Sequence, residues 1–127
     1  MPPLKKILLV DDEFAMRHIL KSILCQIDDF DFIEASDGSQ ALDLMLKHKP
    51  DLVFLDIFMP RLSGVDTLRK ISEIEELCAI PVIMCTAESS ISAIKSAMMS
   101  GAVDYIVKPF TMETVKKKAK KWLFSEE

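Results

Sequence analysis

Residues 7 to 12 read Ile7-Leu8-Leu9-Val10-Asp11-Asp12, four apolar residues followed directly by two carboxylates. Two later runs, Leu52 to Leu55 and Val82 to Met84, are also continuously apolar. A strand that is apolar on both faces must be covered on both faces, which is typical of a parallel sheet between two layers of helices. The sequence therefore predicts a parallel sheet whose central strands are buried.

Five short segments rich in β-branched residues predict five strands. They are Ile7 to Val10, Asp31 to Ala35, Leu52 to Asp56, Pro81 to Cys85 and Val103 to Val107. Apolar residues recur at helical spacing after each of them, with a fourth helix expected over 90–100 and a fifth capped by Thr111. This alternation predicts an α/β three-layer sandwich of the flavodoxin-like (βα)5 type, with a parallel five-stranded sheet in the order 2-1-3-4-5.

Composition restricts the classes of partner. The 127 residues suit one domain over 1–127, and the formal net charge of -4 argues against direct binding of nucleic acid. We interpret the lysines within 116–121 as the solvated last turns of a terminal helix, where they complement its dipole. No apolar run approaches the roughly 18 residues of a spanning helix and the start lacks a secretory signal, so a cytoplasmic protein without membrane contact is expected.

Charged and polar side chains stand where the predicted strands end. Asp11 and Asp12 follow strand 1, Asp56 ends strand 3, Thr86 ends strand 4 and Lys108 follows strand 5. The carboxyl ends of parallel strands meet at one edge, where such sheets bind ligands. Each close carboxylate pair costs about 1 to 4 kcal/mol, and a hard cation with oxygen ligands, such as Mg²⁺, would offset that cost. An aspartate beside a metal and a lysine can attack phosphorus to give an aspartyl phosphate.

Four motifs resemble those of the CheY-like receiver domains of bacterial two-component signalling. They read Ile7-Leu8-Leu9-Val10-Asp11-Asp12-Glu13, Leu55-Asp56-Ile57-Phe58-Met59-Pro60 continuing to Gly64, Met84-Cys85-Thr86-Ala87, and Asp104-Tyr105-Ile106-Val107-Lys108-Pro109-Phe110. The resemblance covers essentially the whole chain. It implies a phospho-accepting response regulator that works as a switch in a phosphorelay and is not a turnover enzyme.

The resemblance also implies the chemistry of individual positions. Asp56 is expected to be the phosphoacceptor, with Lys108 beside the phosphoryl group. The expected Mg²⁺ ligands are Asp11, Asp12, Asp56 and the backbone carbonyl of Phe58, with Asp11 acting mostly through metal-bound water. The peptide bond between Lys108 and Pro109 is expected to be cis.

Further positions are expected to bind the phosphoryl group or to respond to it. Thr86 and the backbone N–H of Ala87 resemble the groups that bind it, and Thr86 and Tyr105 resemble a switch pair. Phe58 and Glu88 resemble two variable positions that affect hydrolysis of the acyl phosphate, and a bulky Phe58 is expected to slow it. Gly64 is interpreted as a turn glycine with positive φ.

The implied partners are proteins. A sensor histidine kinase or a phosphotransfer protein would supply the phosphoryl group, and a downstream target would bind the face formed by helix 4, strand 5 and helix 5. The unphosphorylated protein is expected to be a monomer.

Three alternatives are weighed. The chain could be a receiver cut from a longer regulator with a DNA-binding or enzymatic output domain, although its acidic end at 125–127 favours a stand-alone protein. An aspartate-nucleophile phosphatase of the haloacid-dehalogenase type would need D-x-D-x-[TV] where this chain has Asp11-Asp12-Glu13-Phe14. A flavodoxin would need a phosphate loop rich in Ser, Thr or Gly at the same place.

Overall fold

The computed structural model of the protein describes residues 3–59, 61–87 and 91–124. Strands and helices alternate along the chain as β1 (Lys6–Val10), α1 (Phe14–Leu24), β2 (Asp31–Ala35), α2 (Gly38–His48), β3 (Leu52–Asp56), α3 (Gly64–Glu73), β4 (Val82–Thr86), α4 (Ile91–Met99), β5 (Asp104–Val107) and α5 (Met112–Leu123). The strands form one parallel sheet in the order β2-β1-β3-β4-β5, which confirms the predicted fold. Each strand boundary lies within one residue of its prediction.

The two faces of β1 explain its continuously apolar sequence. Leu8 and Val10 pack into the core on the side of α2, α3 and α4, whereas Ile7 and Leu9 pack into the core on the side of α1 and α5. All four side chains are buried. Burial of an aliphatic side chain is worth about 1.5 to 3 kcal/mol, so both faces of the strand stabilise the three-layer arrangement.

The register of the sheet brings the strand ends to one edge. Val10 pairs with Leu55, and Asp56 pairs with Cys85. Thr86 pairs with Val107, the residue before Lys108. The polar residues that end or follow β1, β3, β4 and β5 therefore lie along the same edge of the sheet.

Side chains and a glycine define several helix ends. Asp37 caps α2, Ser63 caps α3 and Thr111 caps α5, each accepting a hydrogen bond from a backbone N–H in the first turn. Gly101, with φ 118°, follows the end of α4, and the N–H of Ala102 donates to the carbonyl of Ala97 at 3.1 Å, as in a Schellman motif. Helix α4 is shorter than the predicted 90–100 because it ends at Met99, and residue 90 lies outside the described residues.

The interpretation of Gly64 is wrong. Gly64 is the first residue of α3 and does not have a positive φ; the left-handed residue of this loop is Arg61, with φ 69°. Gly64 is required for a different physical reason. A Cβ at this position would lie 2.1 Å from the carbonyl oxygen of Asp56 and 2.7 Å from Cα of Ile57, so only glycine lets α3 begin against the end of β3.

Within the described part of the chain, none of the helices combines the length and the apolarity that crossing a membrane would require.

Candidate functional site

Three carboxylates meet at the carboxyl edge of the sheet. Oxygens of Asp11, Asp12 and Asp56 all lie within 4.8 Å of one another. Asp11 is 2% exposed and Asp56 is 5% exposed, whereas Asp12 is open to solvent. The sequence therefore predicted correctly which acids come together, and the cluster combines two buried carboxylates with one accessible carboxylate.

The amino group of Lys108 bridges the two buried carboxylates. Its Nζ lies 2.9 Å from Oδ2 of Asp11 and 3.4 Å from Oδ2 of Asp56. The backbone N–H of Lys108 donates to the carbonyl of Thr86 at 2.7 Å, which ties the β5 end to the β4 end. The peptide bond between Lys108 and Pro109 is cis, as predicted.

The surroundings of Asp56 disfavour its charged form. Burial raises its pKa, the neighbouring Asp11 raises it further, and Lys108 and the N–H of Phe58 oppose them, so that the pKa of Asp56 rises from 3.8 to about 6. Burial also opposes the charge on Lys108, but its hydrogen bond to Asp11 and the negative charge of Asp56 outweigh that effect, and the pKa of Lys108 lies above its ordinary value. The single positive charge of Lys108 does not fully offset the two buried carboxylates, so the site favours additional positive charge.

A set of contacts that the sequence did not reveal holds Asp11 in place. Its Oδ1 accepts a hydrogen bond from the N–H of Glu13 at 2.9 Å, and its own N–H donates to the carbonyl of Ala35 at 3.1 Å. The guanidinium of Arg17 donates to the carbonyl of Asp11 at 2.6 Å and, through Nε, to Glu34 at 2.8 Å. One signal was present: Glu34 is an acid within β2, the strand that the predicted order places beside β1.

The remaining predicted positions lie on β4, on β5 and in the loop after β3. Thr86 is fully buried one residue beyond Cys85, the partner of Asp56 in the sheet, and Ala87 follows in an exposed bend. Phe58 is 58% exposed, and its backbone N–H donates to Oδ1 of Asp56 at 3.3 Å. Glu88 lies outside the described residues.

Tyr105 is half-buried on β5 and is contacted by a lysine from α5. Nζ of Lys118 lies 4.7 Å from the centre of the Tyr105 ring and donates to the Tyr105 carbonyl at 2.5 Å. The same amino group pairs with Asp104 at 2.8 Å. Despite the burial of Asp104, this pairing and the Tyr105 N–H hold its pKa below the ordinary value.

The donor set of the acidic cluster fits a hard divalent cation. Its side-chain ligand atoms are all carboxylate oxygens, two of its three carboxylates are buried, and one lysine supplies only part of the counter-charge. Mg²⁺ prefers oxygen ligands and is usually held by one or two carboxylates together with water. Asp11, Asp12 and Asp56 could therefore hold such an ion.

Residues 7–120 match the protein family described as response regulator receiver domain. This chain belongs to that family. It is 43% identical over 116 residues to chemotaxis protein CheY-3 of Vibrio cholerae, an alignment that covers 91% of this chain and 89% of that protein. It is 34% identical over 119 residues to sporulation initiation phosphotransferase F of Bacillus subtilis, with 94% of each protein covered.

A solved receiver domain shares the fold. The receiver domain of NtrX from Brucella abortus superposes with a TM-score of 0.85 at 33% identity, covering 94% of this chain and 99% of that one. Membership of the receiver family is consistent with two-component signalling. The match of residues 7–120 to this family argues against the phosphatase and flavodoxin alternatives.

Proposed function

We propose that this receiver domain accepts a phosphoryl group on Asp56 in a Mg²⁺-dependent reaction and works as a switch in a two-component phosphorelay. One observation carries the proposal. Asp56 is a buried carboxylate at the end of β3, 3.4 Å from the amino group of Lys108, and it shares a cluster within 4.8 Å with Asp11 and Asp12. A buried carboxylate beside a lysine and two further acids supports the proposal, because a carboxylate can attack phosphorus when positive charge is held next to it.

The proposed reaction uses the chain's own residues as follows. An oxygen of Asp56 forms a bond to phosphorus while the bond from phosphorus to the donor's histidine nitrogen breaks, and the leaving imidazole keeps the electron pair and takes up a proton. Lys108 balances negative charge beside the reacting carboxylate. When bound by Asp11, Asp12, Asp56 and the backbone carbonyl of Phe58, Mg²⁺ would supply positive charge for the phosphoryl oxygens.

Phosphorylation is proposed to be read out through β4 and β5. The hydroxyl of Thr86 and the N–H of Ala87 bind the phosphoryl group, and a shift of Thr86 changes the packing of Tyr105. Tyr105 lies on β5, an edge strand of the sheet, which α4 precedes and α5 follows in the chain, and the proposed target-binding face is formed by α4, β5 and α5. A protein target that binds one conformation better would shift the equilibrium between the two.

The proposed partners are a sensor histidine kinase or a phosphotransfer protein upstream and a protein target downstream. The relatives named chemotaxis protein and sporulation initiation phosphotransferase support this class of partner. We propose that residues 1–127 act as one receiver domain, monomeric before phosphorylation. The phosphoryl group is transferred to the chain's own aspartate and is later lost by hydrolysis of the acyl phosphate. The domain therefore acts as a switch and not as a turnover enzyme.

The test is the intact mass of the protein after incubation with Mg²⁺ and a small acyl-phosphate donor. We expect a gain of one phosphoryl group in wild type, no gain in Asp56→Asn and no gain after removal of Mg²⁺ with EDTA. Asp51→Asn is the matched control, because Asp51 is an exposed aspartate whose carboxylate accepts a hydrogen bond from the N–H of Lys6, at the start of β1. A gain that persists in Asp56→Asn, or no gain in wild type with either the small donor or a histidine kinase, would refute the proposal.

A further inference from the structure

Arg17 connects the acidic loop to the edge of the sheet. Its side chain is 15% exposed. Nε donates to Oε1 of Glu34 at 2.8 Å, a terminal nitrogen donates to the carbonyl of Asp11 at 2.6 Å, and the guanidinium lies 5.7 Å from the centre of the Phe14 ring. A guanidinium is planar and presents donors in fixed directions, so one side chain makes both hydrogen bonds at once.

The carbonyl that Arg17 contacts belongs to the peptide unit that joins Asp11 to Asp12. A peptide unit is planar, so fixing the direction of its C=O group also fixes the N–H and Cα of the next residue. The carboxylates of Asp11 and Asp12 leave the chain from the two ends of this unit. Its orientation therefore controls how the buried carboxylate of Asp11 and the exposed carboxylate of Asp12 face Asp56.

We propose that Arg17, held by Glu34, is a positioning residue for the cation site, because it fixes the peptide between Asp11 and Asp12. This inference rests on the proposed function, in which the carboxylates of Asp11 and Asp12 bind Mg²⁺. Glu34 is suited to hold Arg17, since its hydrogen bonds with Lys21 and Arg17 keep its pKa below the ordinary value and so keep it charged. Mutation of a group that orients a metal ligand typically weakens metal binding by about 10- to 100-fold.

Positioning and simple electrostatics make opposite predictions for Arg17. A positive charge near a cation site repels the cation, so removing that charge should tighten cation binding if charge were its only role. Removing a positioning contact should weaken binding instead. The sign of the change in Mg²⁺ affinity therefore separates the two roles.

Lys21 provides a matched control for the charge. Its Nζ pairs with Oε2 of Glu34 at 2.6 Å, the second oxygen of the carboxylate that Arg17 uses. Among the described residues, the amino group of Lys21 donates a hydrogen bond to Glu34, whereas the hydrogen bond to the Asp11 carbonyl comes from Arg17. Lys21→Gln thus removes one positive charge and one partner of Glu34 but leaves the contact with Asp11 intact.

The experiment is calorimetric titration of Mg²⁺ into wild type, Arg17→Lys, Arg17→Gln and Lys21→Gln. We expect both Arg17 variants to raise the Kd for Mg²⁺ about tenfold, within the range usual for groups that orient metal ligands. Arg17→Lys is included because it keeps the positive charge but loses the planar guanidinium that donates in two fixed directions. It is also the milder change should Arg17→Gln fail to fold. Lys21→Gln is expected to bind Mg²⁺ as tightly as wild type or more tightly.

A second measurement excludes a general loss of structure. In EDTA, Arg17→Gln and Lys21→Gln should both unfold in one cooperative transition, with the larger fall in midpoint in Arg17→Gln, because it loses the hydrogen bond to the Asp11 carbonyl as well as the one to Glu34. With the acyl-phosphate donor, the Arg17 variants should need more Mg²⁺ for half-maximal phosphorylation but reach the wild-type extent when Mg²⁺ saturates.

Two results would overturn the inference: Arg17→Lys and Arg17→Gln binding Mg²⁺ at least as tightly as wild type, or Lys21→Gln weakening binding as much as they do. In both cases wild type itself binds Mg²⁺ and is phosphorylated, so the proposed function stands. If wild type binds no Mg²⁺ and accepts no phosphoryl group, the proposed function fails and this inference fails with it.

Discussion

The amino group of Lys108 lies 2.9 Å from a carboxylate oxygen of Asp11, although the two residues are 97 positions apart in the chain. This distance is shorter than the 3.4 Å between Lys108 and Asp56. The lysine therefore bridges two buried acids and is not the exclusive partner of Asp56. Such a bridge mainly offsets the cost of burying the charges.

Replacing Lys108 should raise the pKa of Asp56 above its value of about 6, because Lys108 is the largest influence that lowers it. We expect this for Lys108→Met in metal-free protein, measured as the midpoint of the Asp56 carboxyl ¹³C shift against pH. Lys118→Met is the control, since the Lys118 amino group pairs with Asp104. A midpoint at or below the wild-type value in Lys108→Met would contradict the assignment.

The raised pKa of Asp56 predicts that Asp56→Asn stabilises the metal-free protein at neutral pH. In the unfolded chain Asp56 loses its proton near pH 3.8, whereas in the folded protein it does so near 6. The folded state thus binds more protons between these values, and wild type loses stability as pH rises through that window. The gain in Asp56→Asn should be absent below pH 4, grow up to about pH 6, and reach about 1 to 3 kcal/mol at pH 7.

Denaturant unfolding in EDTA at several pH values measures this difference. Asp104→Asn is a control with the opposite sign, because the pKa of Asp104 is lowered and its ion pair with Lys118 stabilises the protein above the unfolded pKa. That variant should be less stable than wild type at pH 7 and approach it as pH falls below the ordinary pKa. An Asp56→Asn protein that is less stable than wild type at pH 7 would rule out a costly buried charge at Asp56.

The sequence predicted the sheet because its strands are short, apolar and buried on both faces. Leu52 to Asp56 is recognisable without tertiary information, and the order of a (βα)5 sheet then places Asp11, Asp56 and Lys108 at one edge. Local spacing was less informative for α1. Phe14 and Ile19 fit its apolar spacing but are exposed.

The features that the sequence did not predict depend on contacts between distant segments. Gly64 is needed because α3 begins against the backbone of Asp56. Residue preferences in turns carry no information about this contact between two elements. The path from Glu34 through Arg17 to Asp11 joins β2, α1 and the end of β1. Such contacts become visible only when the register of the sheet is known.

Gly64→Ala should disturb both stability and phosphorylation. The new Cβ would lie 2.1 Å from the carbonyl oxygen of Asp56, so the backbone at the end of β3 must shift. We expect a loss of about 1 to 3 kcal/mol in the free energy of unfolding and slower phosphorylation by the acyl-phosphate donor.

Gly101→Ala is the matched control for Gly64→Ala. Its positive φ of 118° and a Cβ placed 2.5 Å from Oγ of Ser72 should also destabilise the protein, but at the end of α4. Phosphorylation of Gly101→Ala, measured below its unfolding temperature, should keep the wild-type rate. Equal slowing in both variants would mean that lost stability, and not a displaced Asp56, is the cause.

Phe58→Asn should shorten the lifetime of the phosphorylated protein. The Phe58 N–H donates to Asp56 at 3.3 Å and the Phe58 side chain is exposed, so Phe58 adjoins Asp56 at the open side of the site. If Asp56 is phosphorylated as proposed, a bulky apolar group there would hinder water from reaching the acyl phosphate, whereas an amide would bind water. We expect the phosphorylated Phe58→Asn protein to hydrolyse at least roughly threefold faster than phosphorylated wild type. A threefold change in rate corresponds to an activation barrier lower by less than about 1 kcal/mol. The measurement is the decay of the phosphorylated mass after removal of the donor. Phe124→Asn is the control, because Phe124 is also an exposed aromatic residue but its ring stacks on Phe30. Decay in wild type that equals or exceeds that in Phe58→Asn would show that the aromatic side chain does not protect the acyl phosphate.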